Sequence, residues 1–121
     1  MDRQRLGRLG EELAAAWYVA HGYTVLARRW RCRAGELDLV VRRGGLLACV
    51  EVKCRRGRPA APPAAAVDRR KRRHLRAALL AYLHREAPRG VDLLRGDVVG
   101  VVVDPDGLGC RLTVLPGVLG G

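Results

Sequence analysis

Acidic residues, aromatic residues and long apolar runs are all scarce in this chain. Only 12 Asp and Glu stand against 23 Lys and Arg, which gives the 121 residues a formal charge of +11 and a pI of about 10.9. Such an imbalance makes a polyanion the expected partner, nucleic acid first. No run reaches the roughly 18 apolar residues of a membrane-spanning helix. The densest basic stretch is interleaved with Ala and His rather than backed by a broad apolar face, so no membrane partner is expected. The opening residues, MDRQRLGRLGEE, lack the apolar centre of a secretory signal, and a cytoplasmic location is expected.

Metal-ligand and thiol motifs are missing as well. Cys32, Cys49, Cys54 and Cys110 form no C-x-x-C pair, and His21, His74 and His84 fall in no H-x-x-x-H or H-E-x-x-H pattern. Structural zinc and dithiol chemistry are therefore not expected. Two Trp, three Tyr and no Phe, dispersed at positions 17, 18, 23, 30 and 82, are too few for the stacking platform of a single-strand binder.

What is present is a clear change of period along the chain. Leu6, Leu9, Leu13, Trp17 and Ala20 recur at helical spacing, with Gly22 just beyond to end the helix. YTVLARRW reads as a strand, and GELDLVVRRGGLLACVEVKCR, residues 35–55, as two more joined by a turn within RRGG. A basic, Pro-rich loop, RRGRPAAPP, follows. Val67, Leu75, Ala78, Leu79, Tyr82 and Leu83 then mark a second helix carrying the densest positive charge. VDLLRGDVVGVVVD and CRLTVLP read as two closing strands, and residues 116–121 as a loose tail. The expected fold is one α/β domain over residues 1–121, ordered helix, three strands, helix, two strands, with a mixed central sheet flanked by helices.

Residues two apart in a strand share a face. On that parity Leu37, Leu39 and Val41 share one face of the second strand and Glu36, Asp38 and Val40 the other. Leu46, Ala48, Val50 and Val52 share one face of the third strand, with Leu47, Cys49, Glu51 and Lys53 opposite. A two-residue turn at Gly44-Gly45 makes paired numbers sum to 89 and sets Asp38 across from Glu51 and Glu36 across from Lys53. A turn at Arg43-Gly44 makes the sum 87 and keeps the same faces together. Like charges directly opposite one another destabilise a hairpin; at ~4 Å and an effective dielectric of ~20 they repel by about 4 kcal/mol. One lysine cannot neutralise three carboxylates, whereas Mg²⁺ or Mn²⁺ can. Asp38 and Glu51 are thus candidate metal ligands, with Lys53 beside them to position or activate a water for phosphodiester hydrolysis. An exposed sheet face carrying ordinary surface ion pairs is the competing reading of the same alternation.

Five stretches together carry a resemblance: GRLGEELA at 7–14, GY at 22–23, GELD at 35–38, VEVKCR at 50–55 and AVDRRKRRHL at 66–75. They resemble the YraN family of small bacterial proteins, which is assigned to the restriction-endonuclease-like fold of the PD-(D/E)xK nucleases and is similar to Holliday-junction resolvases. The resemblance implies that Asp38 and Glu51 are metal carboxylates, that Lys53 is the catalytic lysine, and that Glu11 is the helical glutamate that joins the site. Helical period alone leaves Glu11 and Glu12 equivalent. Glu36 belongs to the G-E-x-D pattern as an additional ligand or supporting residue, and Lys71 matches a basic position that points either toward the sheet or into solvent. Cys54 stands where a hydroxyl residue is usual, and Asp97, in RGDVV, is matched without an assigned duty.

The expected function is that of a Mg²⁺- or Mn²⁺-dependent endonuclease on DNA, selective for branched or flapped shapes. Phosphate contacts are expected from Arg28, Arg29, Arg31 and Arg33, from Arg55, Arg56 and Arg58, and from Arg69, Arg70, Lys71, Arg72 and Arg73; such contacts position a substrate without reading its bases. The alternative is a non-catalytic nucleic-acid-binding module on the same fold. A homodimer, pairing two sites against two strands, is a further expectation from the resolvase resemblance.

Overall fold

The computed structural model describes residues 2–57 and 62–119. Helix α1 (Arg3–Ala20) leads into β1 (Thr24–Cys32), β2 (Gly35–Arg43) and β3 (Leu46–Arg56). A single 3₁₀ turn at Pro63–Ala66 precedes α2 (Arg69–Glu86), β4 (Leu93–Val103) and β5 (Cys110–Leu115). The expected element order and the mixed α/β architecture hold. The sheet runs β1-β2-β3-β4-β5, antiparallel throughout except for the parallel β3/β4 pair. That parallel pair requires a crossover, and α2 supplies it.

Each helix covers one face. Asp2 caps α1 by accepting the Arg5 N–H at 2.8 Å, and Leu6, Leu9, Leu13 and Trp17 then lie along the sheet. Beneath them are Leu39, Val41, Ala48, Val50, Val99 and Val101. Gly10 lets α1 approach β3 closely, since a Cβ there would stand 2.7 Å from the Cys54 Cβ. On the other face Leu75, Ala78, Leu79 and Tyr82 of α2 pack on Leu37, Val40, Leu47, Cys49 and Val98. Both faces of the central strands are therefore buried, which is why β3 and β4 read as nearly continuous apolar runs.

One of the two registers left open is selected, and three details depart from the sequence reading. Gly44, at φ 57°, forms the turn with Gly45, and Arg43 pairs with Leu46, so the 89 register is the correct one. That ladder nevertheless stops at Leu39↔Val50, and Asp38 is not paired across from Glu51. Side-chain direction also changes at Asp38, for Leu37 packs with the α2 core while Leu39 packs with the α1 core. A long-range hydrogen bond accompanies the change: the Val52 N–H donates to Asp38 Oδ2 at 2.8 Å, where a regular ladder would offer a backbone acceptor. Arg55 and Arg56 belong to β3 rather than to the loop that follows, and Arg58 lies outside the described residues.

The tail expected to be loose is pinned over its described part. Gly117 N–H donates to Asp97 Oδ1 at 2.9 Å, and Leu119 N–H to the Gly96 carbonyl at 3.1 Å. Asp97 itself is fully buried and accepts from Tyr18 Oη at 2.7 Å and twice from the Arg95 guanidinium at 2.8 Å. One carboxylate thus joins α1, β4 and the C-terminal turn.

Candidate metal centre and its basic surround

The gap that opens between β2 and β3 beyond the last paired residues is where the charged side chains collect. Glu11 from α1 and Glu36 and Asp38 from β2 each offer a carboxylate oxygen within 4.8 Å of the others. The structure thereby separates the two helical glutamates. Glu12 is largely exposed and bound to Arg28 at 2.9 Å, while Glu11 is turned into the cluster.

Glu51 approaches this gap from the α2 side. Its side chain is only 5% exposed, with Lys53 Nζ 3.8 Å from Oε1 and Lys71 Nζ 3.6 Å from Oε2. Among the described residues Glu51 Oε2 has no hydrogen-bond partner. The trio thus contains Glu36 in the place where Glu51 was expected, with Glu51 adjoining Asp38. Lys71 points toward the sheet, one of the two orientations left open by its spacing. Its position follows from the start of α2, where Asp68 accepts the Lys71 N–H at 2.8 Å and fixes the first turn above Glu51.

Crowding of carboxylates in a buried gap shows in their proton affinity. Burial, reinforced by the charge of Glu51, pushes Asp38 up to about 7 from an ordinary 3.8, although the Val52 N–H opposes the rise. Burial likewise raises Glu51, against the pull of Lys71 and Lys53. Burial thus disfavours the charged form of both acids, and at Glu51 two lysines only partly offset it. A buried carboxylate oxygen that among the described residues accepts no hydrogen bond, next to other carboxylates, fits a hard divalent cation, for which carboxylates and water are the preferred ligands. Asp38, Glu51, Glu11 and Glu36 are the residues that could hold it.

Three of the arginines expected at the substrate are in ion pairs with acids. Arg29 Nε donates to Glu11 Oε1 at 2.7 Å, Arg31 Nε to Glu36 Oε2 at 3.0 Å, and Arg28 to Glu12. Arg29 adopts a left-handed backbone, φ 47°, rare for a residue with a Cβ and of a kind found where function over-determines geometry. As a result consecutive Arg28 and Arg29 both reach α1, which strand alternation does not allow. Arg33, Arg55, Arg56, Arg69, Arg70, Arg72 and Arg73 are exposed. A cleft of about 560 Å³ between α1 and the end of β3 brings Arg3 together with Lys53, Arg55 and Arg56. Arg3 belongs to no motif in the sequence; its signal there is its place one turn before Leu6 on a helix that carries Glu11.

A sequence model of the uncharacterised protein family UPF0102 matches residues 10–101. Among similar proteins, a UPF0102 protein of Symbiobacterium thermophilum is 45% identical over 113 residues, covering 90% of this chain and 92% of that protein. One of Gloeobacter violaceus is 47% identical over 116 residues, with 93% and 90% covered, and one of Acidothermus cellulolyticus 48% over 94 residues, with 78% and 71% covered.

Proposed function

The chain belongs to the UPF0102 family, and from its own side chains we propose that it is a Mg²⁺- or Mn²⁺-dependent endonuclease hydrolysing phosphodiester bonds in DNA. The observation that carries the reading is the buried Oε2 of Glu51, which among the described residues accepts no hydrogen bond, beside the Asp38 carboxyl and facing two lysines at 3.6 and 3.8 Å. The resemblance to the YraN family and the PD-(D/E)xK nucleases supports the same reading.

A divalent ion held by Asp38, Glu51, Glu11 and Glu36 would supply the positive charge that stabilises a phosphoryl oxygen during in-line attack. The chain's own groups do the rest. The Val52 N–H fixes the direction of Asp38, and the start of α2 fixes Lys71. Lys53 lies at the mouth of the basic cleft, partly exposed, and orients a water or a phosphate oxygen there. Arg3, Arg55 and Arg56 along that cleft, with exposed Arg33, Arg69, Arg70, Arg72 and Arg73, bind the DNA backbone and confer no base preference. Selectivity is then for shape, with branched or flapped DNA the proposed substrate, and a homodimer would let two sites meet two strands. The cytoplasm, where such DNA is found, is the compartment this activity requires.

A second reading, a nucleic-acid-binding module without cleavage, draws on the guanidiniums of Arg29 and Arg31, which already neutralise Glu11 and Glu36. One experiment separates the two. The protein and its Glu51→Ala variant are incubated with linear, single-stranded, flapped and four-way-junction DNA in Mn²⁺, Mg²⁺ or EDTA. Metal-dependent cutting lost in the variant supports the nuclease; salt-sensitive binding without cutting in every lane supports the module.

A further inference from the structure

The face of β4 that α2 leaves uncovered carries a second concavity, separate from the carboxylates. Its volume is about 480 Å³, within the range of roughly 300–1,000 Å³ usual for binding cavities. Cys49 and Gly96 form the floor, and Leu75, Leu79, Leu80, Leu94 and Leu119 contribute the apolar lining. Two of these leucines are unusually open to solvent, Leu80 at 57% and Leu94 at 43%. Arg72 and Arg76, one helical turn apart on α2, stand at its edge, and no acidic side chain lines it. Among the described residues neither arginine is in an ion pair, whereas Arg95, which also borders the cavity, has its guanidinium held by Asp97 and Tyr23.

The geometry points to a docking groove for an acidic, amphipathic segment of another protein, its apolar side chains seated among the leucines and its carboxylates on Arg72 and Arg76. Solvent-exposed leucines gathered around a cavity mark interaction sites, and an apolar centre with a charged rim is the anatomy of a protein interface. A segment laid along α2 would follow the helix-in-groove mode. Charge decides among occupants. A second copy bound face to face would set Arg72 and Arg76 against their own counterparts, and the chain as a whole carries +11. A nucleotide would find phosphate contacts but no place for its base. The cavity has no aromatic ring to stack on, and the Gly96 carbonyl is taken by the Leu119 N–H. Burial leaves the Cys49 thiol at the floor pushed up to about 12, a neutral apolar surface. The inference does not need cleavage to occur, although it engages Arg72, one of the arginines proposed to bind the DNA backbone.

The test selects phage-displayed peptides against the intact protein at about 0.15 M salt, where surface charge alone is screened beyond ~8 Å. The enriched sequences are then measured as labelled synthetic peptides by fluorescence anisotropy. The expected peptides combine Leu, Phe or Met at helical spacing with Asp or Glu. They should bind the Leu80→Asp/Leu94→Asp variant at least about tenfold more weakly, the effect of losing one well-buried apolar anchor. Circular dichroism should be unchanged in that variant, and Leu80→Asp alone, on an open helix position, replaces it where the double variant does not fold. Enrichment of no peptide, equal binding to the variant, or equal binding of a scrambled peptide of the same charge would overturn the proposal. So would an oligothymidylate that alone loses binding in the variant, which would make the cavity a nucleotide pocket, or a dimer in sedimentation that the variant dissociates.

Discussion

Lys71 Nζ lies 3.6 Å from Glu51 Oε2, the one buried carboxylate oxygen left without a hydrogen bond among the described residues. The lysine is 40% exposed and comes from α2, so a crossover helix reaches into a site otherwise built by a hairpin and α1. Of the groups that counter the upward shift of Glu51, Lys71 is the strongest. Removing it in Lys71→Met leaves burial less opposed, and Glu51 holds its proton to higher pH. The acid limb of the cleavage profile is therefore expected to move to higher pH in Lys71→Met and to return with Lys71→Arg. Rates measured across pH for the three proteins check this, and an unmoved limb would make Lys71 a bystander.

Asp38 carries the clearest pH signature. In the unfolded chain it titrates at about 3.8 and in the fold at about 7. Between these values the folded protein retains a proton that the unfolded chain has released, so each step up in pH costs stability. In EDTA, stability is expected to fall from pH ~4 to ~7 on this account and then to level off. Asp38→Asn keeps an oxygen for the Val52 N–H and has no proton to lose, so it should flatten the slope to whatever Glu51 contributes in the same direction. Urea midpoints of both proteins across this interval decide it: parallel curves would remove Asp38 as the cause.

The Asp97 hub predicts large structural effects away from the candidate site. Asp97→Ala strands the Arg95 guanidinium and the buried Tyr18 hydroxyl together, a loss of about 3–5 kcal/mol. Tyr18→Phe removes one hydrogen bond to a charged acceptor and should cost about 1.5–3 kcal/mol. Because the two changes break the same contact, their sum should exceed the loss in the double variant. Guanidinium denaturation of the four proteins measures that coupling, and strict additivity would show the hydrogen bond to be unimportant.

Much of this architecture is legible in the sequence. The shift from 3.6- to 2-residue period marks α1 and the hairpin, and Gly44-Gly45 sets a register that holds as far as Leu39↔Val50. The faces of β3 follow from alternation alone, because nothing interrupts them. Legibility ends at Asp38, whose partner is a backbone N–H 14 residues away on another strand. Local pattern carries no signal for such a bond, and parity beyond it inverts. Arg29 reads as a free cation for the same reason: its partner Glu11 is chosen by a left-handed φ at Arg29 and by the way α1 lies on the sheet, whereas Arg31 meets Glu36 as its cross-strand partner in the β1/β2 ladder. Asp97 did leave a trace, a lone acid in an apolar strand with Arg95 two residues earlier on the same face.

The close approach of α1 to β3 yields the last prediction, because Glu11 reaches the cluster only as far as Gly10 allows. A Cβ at position 10 would meet Cys54 Cβ at 2.7 Å and Sγ at 3.1 Å, so Gly10→Ala has to lift the helix off the sheet. Overpacking of this kind costs about 1–3 kcal/mol, more than the gain in helix propensity from Gly to Ala of roughly 1 kcal/mol. Cys54→Ala cannot relieve it, since the offending Cβ stays; Cys54→Gly can. The double variant Gly10→Ala/Cys54→Gly should therefore recover part of the melting temperature lost in Gly10→Ala, while Cys54→Ala in the same background should not. The stabilisation that Mn²⁺ gives the wild type should follow the same order, because lifting α1 withdraws Glu11 from Asp38 and Glu36. Melting curves with and without Mn²⁺ test both steps. Loss of stability with the Mn²⁺ shift intact would separate Glu11 from the metal and leave the site to Asp38, Glu36 and Glu51.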